Sequence, residues 1–127
     1  MNQYEILSDF CDKNIHDKKE FVELLKNNDP GAQAYLAGFF GLWIQVFNET
    51  GQNSNITFEA LGKSLGIGLN EIRTLYFEAF KIVDKEDFKD TEDYTTVVEA
   101  FAEGRAAYQA HHVLYVDAKF DWSKTPK

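Results

Sequence analysis

The chain has 127 residues, enough for one domain with a real core and too few for two of ordinary size. Hydrophobic residues are 44% and charged residues 27%, a globular composition, and the single cysteine, Cys11, leaves no disulfide framework and no paired-cysteine metal knuckle. The formal net charge is −8, which argues against a general binder of phosphate backbones, because such binding rests on clustered Lys and Arg.

No window of the sequence is basic: residues 31–62 hold no Lys or Arg, and residues 1–30 and 90–127 each carry seven acids against four bases. The opening MNQYEILSDF has neither a basic leader nor a long apolar run, which with the lone thiol predicts a cytoplasmic protein. Tyr4, Leu7, Phe10 and Cys11 fall on one face of a first helix. Asp17 followed by Glu20 marks the start of a second, short helix whose apolar side is Phe21, Val22, Leu24 and Leu25.

Asp29-Pro30 opens the third helix, a carboxylate cap followed by a proline whose missing N–H costs nothing there. Gly51 is its expected stop. From Pro30 to Asn48 there is no charge, and Ala34, Ala37, Gly38 and Gly41 stand among large apolar residues. A helix apolar all round is the centre of a bundle or a membrane span. Its 19 uncharged residues only touch the lower limit for spanning, and its flanks, Asp29 and Glu49, lack basic anchors. The amphipathic neighbours also need something apolar to pack on, so it reads as the bundle centre, with small residues letting another helix approach.

Residues 50–55 read as a polar loop, with Thr57 capping the next helix and Ile56 stapled to Leu61. Gly66 ends that helix, and another from Leu69 to Val83 buries Ile72, Leu75, Tyr76, Ala79 and Val83. The stretch from Asp84 to Asp93 is a solvated acidic loop; it lacks the glycine a calcium loop requires. A last helix starts near Asp90 or Thr91 and uses Val97, Val98, Phe101 and Ala102, while Val113 to Val116 is either its end or a short strand. Residues 117–127 read as a loose tail, with Phe120 and Trp122 as its apolar members.

Within Thr57–Tyr76, TFEALGKSLGIGLNEIRTLY, a small residue (Gly62) is followed four positions on by Gly66 and six further by a branched apolar residue, Ile72. A tight turn between crossed helices needs such a contact residue, a residue tolerant of positive φ, and apolar anchors. The segment resembles the helix-turn-helix of bacterial regulators over these 20 residues. The resemblance implies a trihelical unit and, for a DNA-binding member acting as a dimer, contacts from Lys63, Asn70, Arg73 and Thr74. The chain departs from the DNA-binding pattern. Gly62 stands for the usual alanine, at about 1 kcal/mol of helix propensity. Glu71 and Glu78 lie where phosphate would approach, and Phe77 on the outward face suits a protein interface.

His111-His112 with Tyr108, Tyr115, Glu103 and Arg105 is the one constellation suggesting chemistry, but no nucleophile motif accompanies it. Glu99 and Glu103 stand four apart without the Glu-x-x-His unit of di-iron bundles. These histidines therefore read as structural or surface residues, and Cys11 as a small buried hydrophobe. The expectation is an all-α domain over 1–127, five or six helices around a hydrophobic helix at about 31–48, requiring no cofactor, metal or membrane. The expected function is non-enzymatic, stoichiometric binding of a protein with a basic surface, of the kind found in inhibitors, antitoxins, immunity proteins and phage antagonists. The expected contact surface is Asp84, Glu86, Asp87 and Asp90 with Phe77 and Lys81, and a homodimer is compatible with it. The alternative is a DNA-binding regulator.

Overall fold

A computed structural model of the chain describes residues 3–49, 54–84 and 94–116, and these are all helical apart from short connections. They form α1 (Gln3–Asn14), α2 (Lys18–Lys26), α3 (Pro30–Glu49), α4 (Ser54–Leu65), α5 (Leu69–Asp84) and α6 (Tyr94–Val116). The uncharged α3 is the centre. It packs most extensively on α6 and then α5, while α1 lies against α4. Among the described residues no helix is long and apolar enough to cross a membrane.

Local signals set the helix ends. The Asp17 carboxylate accepts the Glu20 N–H at 3.0 Å, and the Asp29 carboxylate accepts the Ala32 N–H at 2.9 Å, each satisfying an orphan donor of a first turn. α2 closes in a paired turn: the Asp29 N–H reaches the Leu24 carbonyl at 2.9 Å and the Asn28 N–H reaches Leu25 at 3.1 Å. Asn28 takes a left-handed φ of 58° there, which asparagine tolerates.

The core is aromatic. Phe10, Phe39, Phe40 and Trp43 are fully buried, and Phe58, Tyr76, Tyr108 and His111 close around them. Most of their ring contacts are edge-on, such as Phe10–Trp43 at 5.8 Å, Phe40–Tyr76 at 5.3 Å and Trp43–Tyr108 at 5.6 Å. Such pairs add about 0.5–1.5 kcal/mol each beyond burial. α3 and α6 meet backbone to backbone. A methyl group on Gly38 would sit 2.4 Å from the Phe101 carbonyl oxygen, and one on Gly104 would sit 2.4 Å from that of Tyr35. The small residues of α3 thus admit a second helix, and that helix supplies its own glycine at the crossing.

Three expectations need correction, and one alternative left open, at residues 113–116, is decided. α4 begins at Ser54, so Ser54 and Asn55 are helical, and Thr57 is a fully buried residue inside the helix rather than its cap. Residues 113–116 continue α6; no strand forms there. On α6, Val98 and Ala102 face outward, while the buried line is Val97, Gly104, Tyr108 and His111. The Gly38–Gly104 contact fixes this rotation, because only glycine admits the α3 backbone. Leu24 is exposed, leaving Val22 and Leu25 as the buried side of α2. Gly51, the acidic stretch 85–93 and the tail 117–127 lie outside the described residues.

Candidate functional site

α4 and α5 are joined by a tight turn over residues 66–68. α4 ends with the Ile67 N–H on the Gly62 carbonyl at 2.8 Å and the Gly66 N–H on Lys63 at 3.3 Å. Gly66 holds φ +78°, the left-handed conformation glycine adopts without steric cost. The Ile72 N–H returns to the Gly68 carbonyl at 3.0 Å. A methyl group on Gly62 would lie 2.8 Å from the Ile67 carbonyl oxygen and 3.2 Å from Ile72. An alanine there would press on the turn, which is why this chain carries the smaller residue.

The outward face of α5 carries Asn70, Glu71, Thr74, Phe77, Glu78, Phe80 and Lys81, all exposed. Its charges are largely engaged within the molecule. Lys26 reaches Glu71 at 3.1 Å and Lys81 reaches Glu78 at 3.0 Å; exposed pairs of this kind are worth about 0–1 kcal/mol each. Arg73 is half-buried with its guanidinium 6.0 Å from the centre of the Phe58 ring. The Thr74 hydroxyl donates to the Asn70 carbonyl at 3.0 Å, and the Lys63 ammonium lies 5.5 Å from the Tyr4 ring. Of the acidic contact set, Asp84 is the last residue of α5, and Glu86, Asp87 and Asp90 lie outside the described residues.

Phe77 is 52% exposed and Phe80 45%. Both adjoin the core: Phe77 is 6.1 Å from the Phe58 and Tyr76 rings, and Phe80 is 6.2 Å from Tyr76. The aromatic interior therefore opens to the surface along this side of α5. Sequence reasoning named Phe77 and missed Phe80, although the three-residue spacing carried the signal.

His111 is 2% exposed, wedged edge-on against Phe10 at 5.3 Å and near Trp43 at 6.2 Å. Its Nε2 lies 3.2 Å from the Asp9 carboxylate, which also meets Lys13 at 3.1 Å. Burial lowers the imidazole pKa, and the Asp9 hydrogen bond and charge oppose that. A neutral ring donating Nε2–H to Asp9 fits both influences, and it ties α6 to α1. Cys11, fully buried on α1, has its thiol pushed up to about 12, first by burial. At neutral pH it is a thiol and a poor nucleophile. Glu99 and Glu103 are exposed on α6, and His112 and Tyr115 continue that helix. Among the described residues no three His, Cys, Asp or Glu come together to hold a metal ion. No protein-family model, curated protein or solved structure matches this chain.

Proposed function

We propose that the chain is a small non-enzymatic interaction protein that binds a second protein stoichiometrically through the outer face of α5. The observation that supports this reading is the Phe77–Phe80 pair, exposed while Phe10, Phe39, Phe40 and Phe58 are buried. A fully exposed phenylalanine forgoes about 1.5–3 kcal/mol of burial, and a partner that covers both rings recovers the part still open. Aromatic anchors with a charged rim, here Glu71, Glu78 and Lys81, have the composition of an interface centre. Asp84 ends α5, Glu86, Asp87 and Asp90 come after it in sequence, and the four suit a partner with a basic surface. The test compares the immobilised chain with Phe77→Ser/Phe80→Ser in native lysate. The expected result is one protein retained in equimolar amount, weakened by salt and lost in the variant, which keeps its helical circular dichroism and a cooperative melt at a somewhat lower temperature. Equal recovery on both, or no retained protein, refutes the reading.

The geometry of the α4–α5 turn favours a second reading, a DNA-binding regulator using Lys63, Asn70, Arg73 and Thr74 as a homodimer. Here Arg73 must leave Phe58, and even with it turned outward α5 offers Glu71 and Glu78 against Arg73 and Lys81, with no net attraction for phosphate. Retardation of DNA at low salt that is abolished by Asn70→Ala and Arg73→Ala supports it; no retention of any DNA at low salt refutes it.

A further inference from the structure

A groove between α2 and the α4–α5 turn gathers charge against the trend of the molecule. Lys18, Lys19 and Lys26 line it from α2, Lys63 and Ser64 from the end of α4, and Glu23 is the one acid among the described residues that line it. Half of the Lys and Arg residues in the described part of the chain thus line one hollow of a protein with net charge −8, with the Lys18 ammonium on Asp12, that of Lys26 on Glu71 and that of Lys63 over the Tyr4 ring. Its volume is about 430 Å³, within the ~300–1,000 Å³ typical of small-molecule sites.

The placement of two of these lysines works against folding. Lys18 and Lys19 form the first turn of α2, the positive end of the helix dipole, where a cation costs about 0.3–1 kcal/mol. Departures from local preference of this kind concentrate at functional sites. The existing counter-ions are weak competitors. Lys18 contacts Asp12 and Lys26 contacts Glu71, and both carboxylates are exposed, so each pair holds about 0–1 kcal/mol. All four cations are lysines, compact point charges suited to phosphate, and no arginine, the planar match for a carboxylate, lines the groove among the described residues.

We propose that this groove binds a small phosphorylated molecule, its phosphates among Lys18, Lys19, Lys26 and Lys63. A second hollow of about 390 Å³ shares Lys63 and Ser64 with the first and continues past Tyr4, Glu5, Ser8 and Ala60, where the carboxylate of Glu5 excludes phosphate and leaves room for an uncharged group. The organic remainder of the ligand extends into it. The site uses none of Asn70, Phe77 or Phe80, so it stands apart from the protein-binding reading of α5, and it shares only Lys63 with the DNA-binding one.

The test is amide NMR of the full chain titrated with sodium pyrophosphate at constant ionic strength, with sodium chloride and citrate as controls. Saturable shifts at residues 18–26 and 63–67 are expected. Lys19→Gln/Lys63→Gln, two exposed positions, is expected to weaken binding at least about tenfold with an unchanged melting curve; Lys81→Gln is expected to leave it unchanged. ATP is expected to bind more tightly than pyrophosphate and to add shifts at residues 4–8 and 60; equal affinity without them overturns the extension into the second hollow. No saturable shifts, citrate binding as tight as pyrophosphate, shifts centred on residues 70–81, or wild-type affinity in the double variant overturns the site.

Discussion

Replacing Gly38 by alanine places a methyl carbon 2.4 Å from the Phe101 carbonyl oxygen and 3.2 Å from Arg105 N and Gly104 Cα. Ordinary contact lies near 3.5 Å, so the two helices must part by roughly 1 Å. The opposing atoms belong to helical backbone, and no rotamer change relieves them. α6 has to move as a body, loosening the seam between Val97 and His111 on which α3 depends. Overpacking of this kind costs about 1–3 kcal/mol, and sometimes more. A 2.4 Å approach to backbone belongs at the upper end of that range, and the gain in helix propensity from glycine to alanine is about 1 kcal/mol, so the expected balance is a loss of about 2 kcal/mol. For a chain of 127 residues, at about 3–6 °C per kcal/mol, that lowers the melting temperature by about 6–12 °C. Gly41, on the same helix, is the internal control: its nearest neighbour would be the Tyr76 hydroxyl at 3.6 Å, so Gly41→Ala keeps the propensity gain and raises stability. Urea and thermal unfolding followed by far-UV circular dichroism measure both. A Gly38→Ala protein as stable as wild type, or one that shifts in step with Gly41→Ala, refutes the close crossing.

Three further outcomes follow from the same structure. The His111 pKa is depressed in the folded state, so the unfolded chain takes up its proton more readily. The stability that neutral His111 contributes is complete above the ordinary histidine pKa and is lost as pH falls through the folded value; His111→Gln is expected to flatten the unfolding midpoint between pH 7.5 and 5, and an unchanged slope counts against the buried neutral ring. Asp29→Ala removes the cap of α3 and is expected to cost about 1 kcal/mol in urea unfolding; no change there means that the cap is not formed in solution. Cys11, fully buried with its pKa pushed up to about 12, is expected to react with a thiol reagent only as fast as the protein opens. Reaction at the rate of a free thiol contradicts its position.

The helix starts at Asp17 and Asp29 and the turn at Gly62, Gly66 and Ile72 were legible because each is decided within a few residues of chain. The buried α3 was legible too, since nothing in it can be solvated as charge. Thr57 misled because it resembles a cap in isolation, whereas the packing of α4 against α1 and α5 buries it. Val98 and Ala102 misled because α6 offers apolar residues on several sides, and its rotation is chosen by Gly104 meeting α3. The Asp9–His111 tie and the lysine groove were invisible for a related reason. Each joins residues far apart in sequence, and the windows that held the lysines of α2 held even more acids.

The glycine crossing also bears on how the protein is made. Gly38 and Gly104 stand far apart in sequence, so the cover for the greasiest helix is synthesised well after the helix itself. Until it arrives, Phe39, Phe40 and Trp43 lack their permanent lid, and a nascent chain stalled before residue 104 presents a sticky, half-clothed intermediate to its surroundings. Cellular quality control, rather than final stability, then becomes the first filter on mutations in α6.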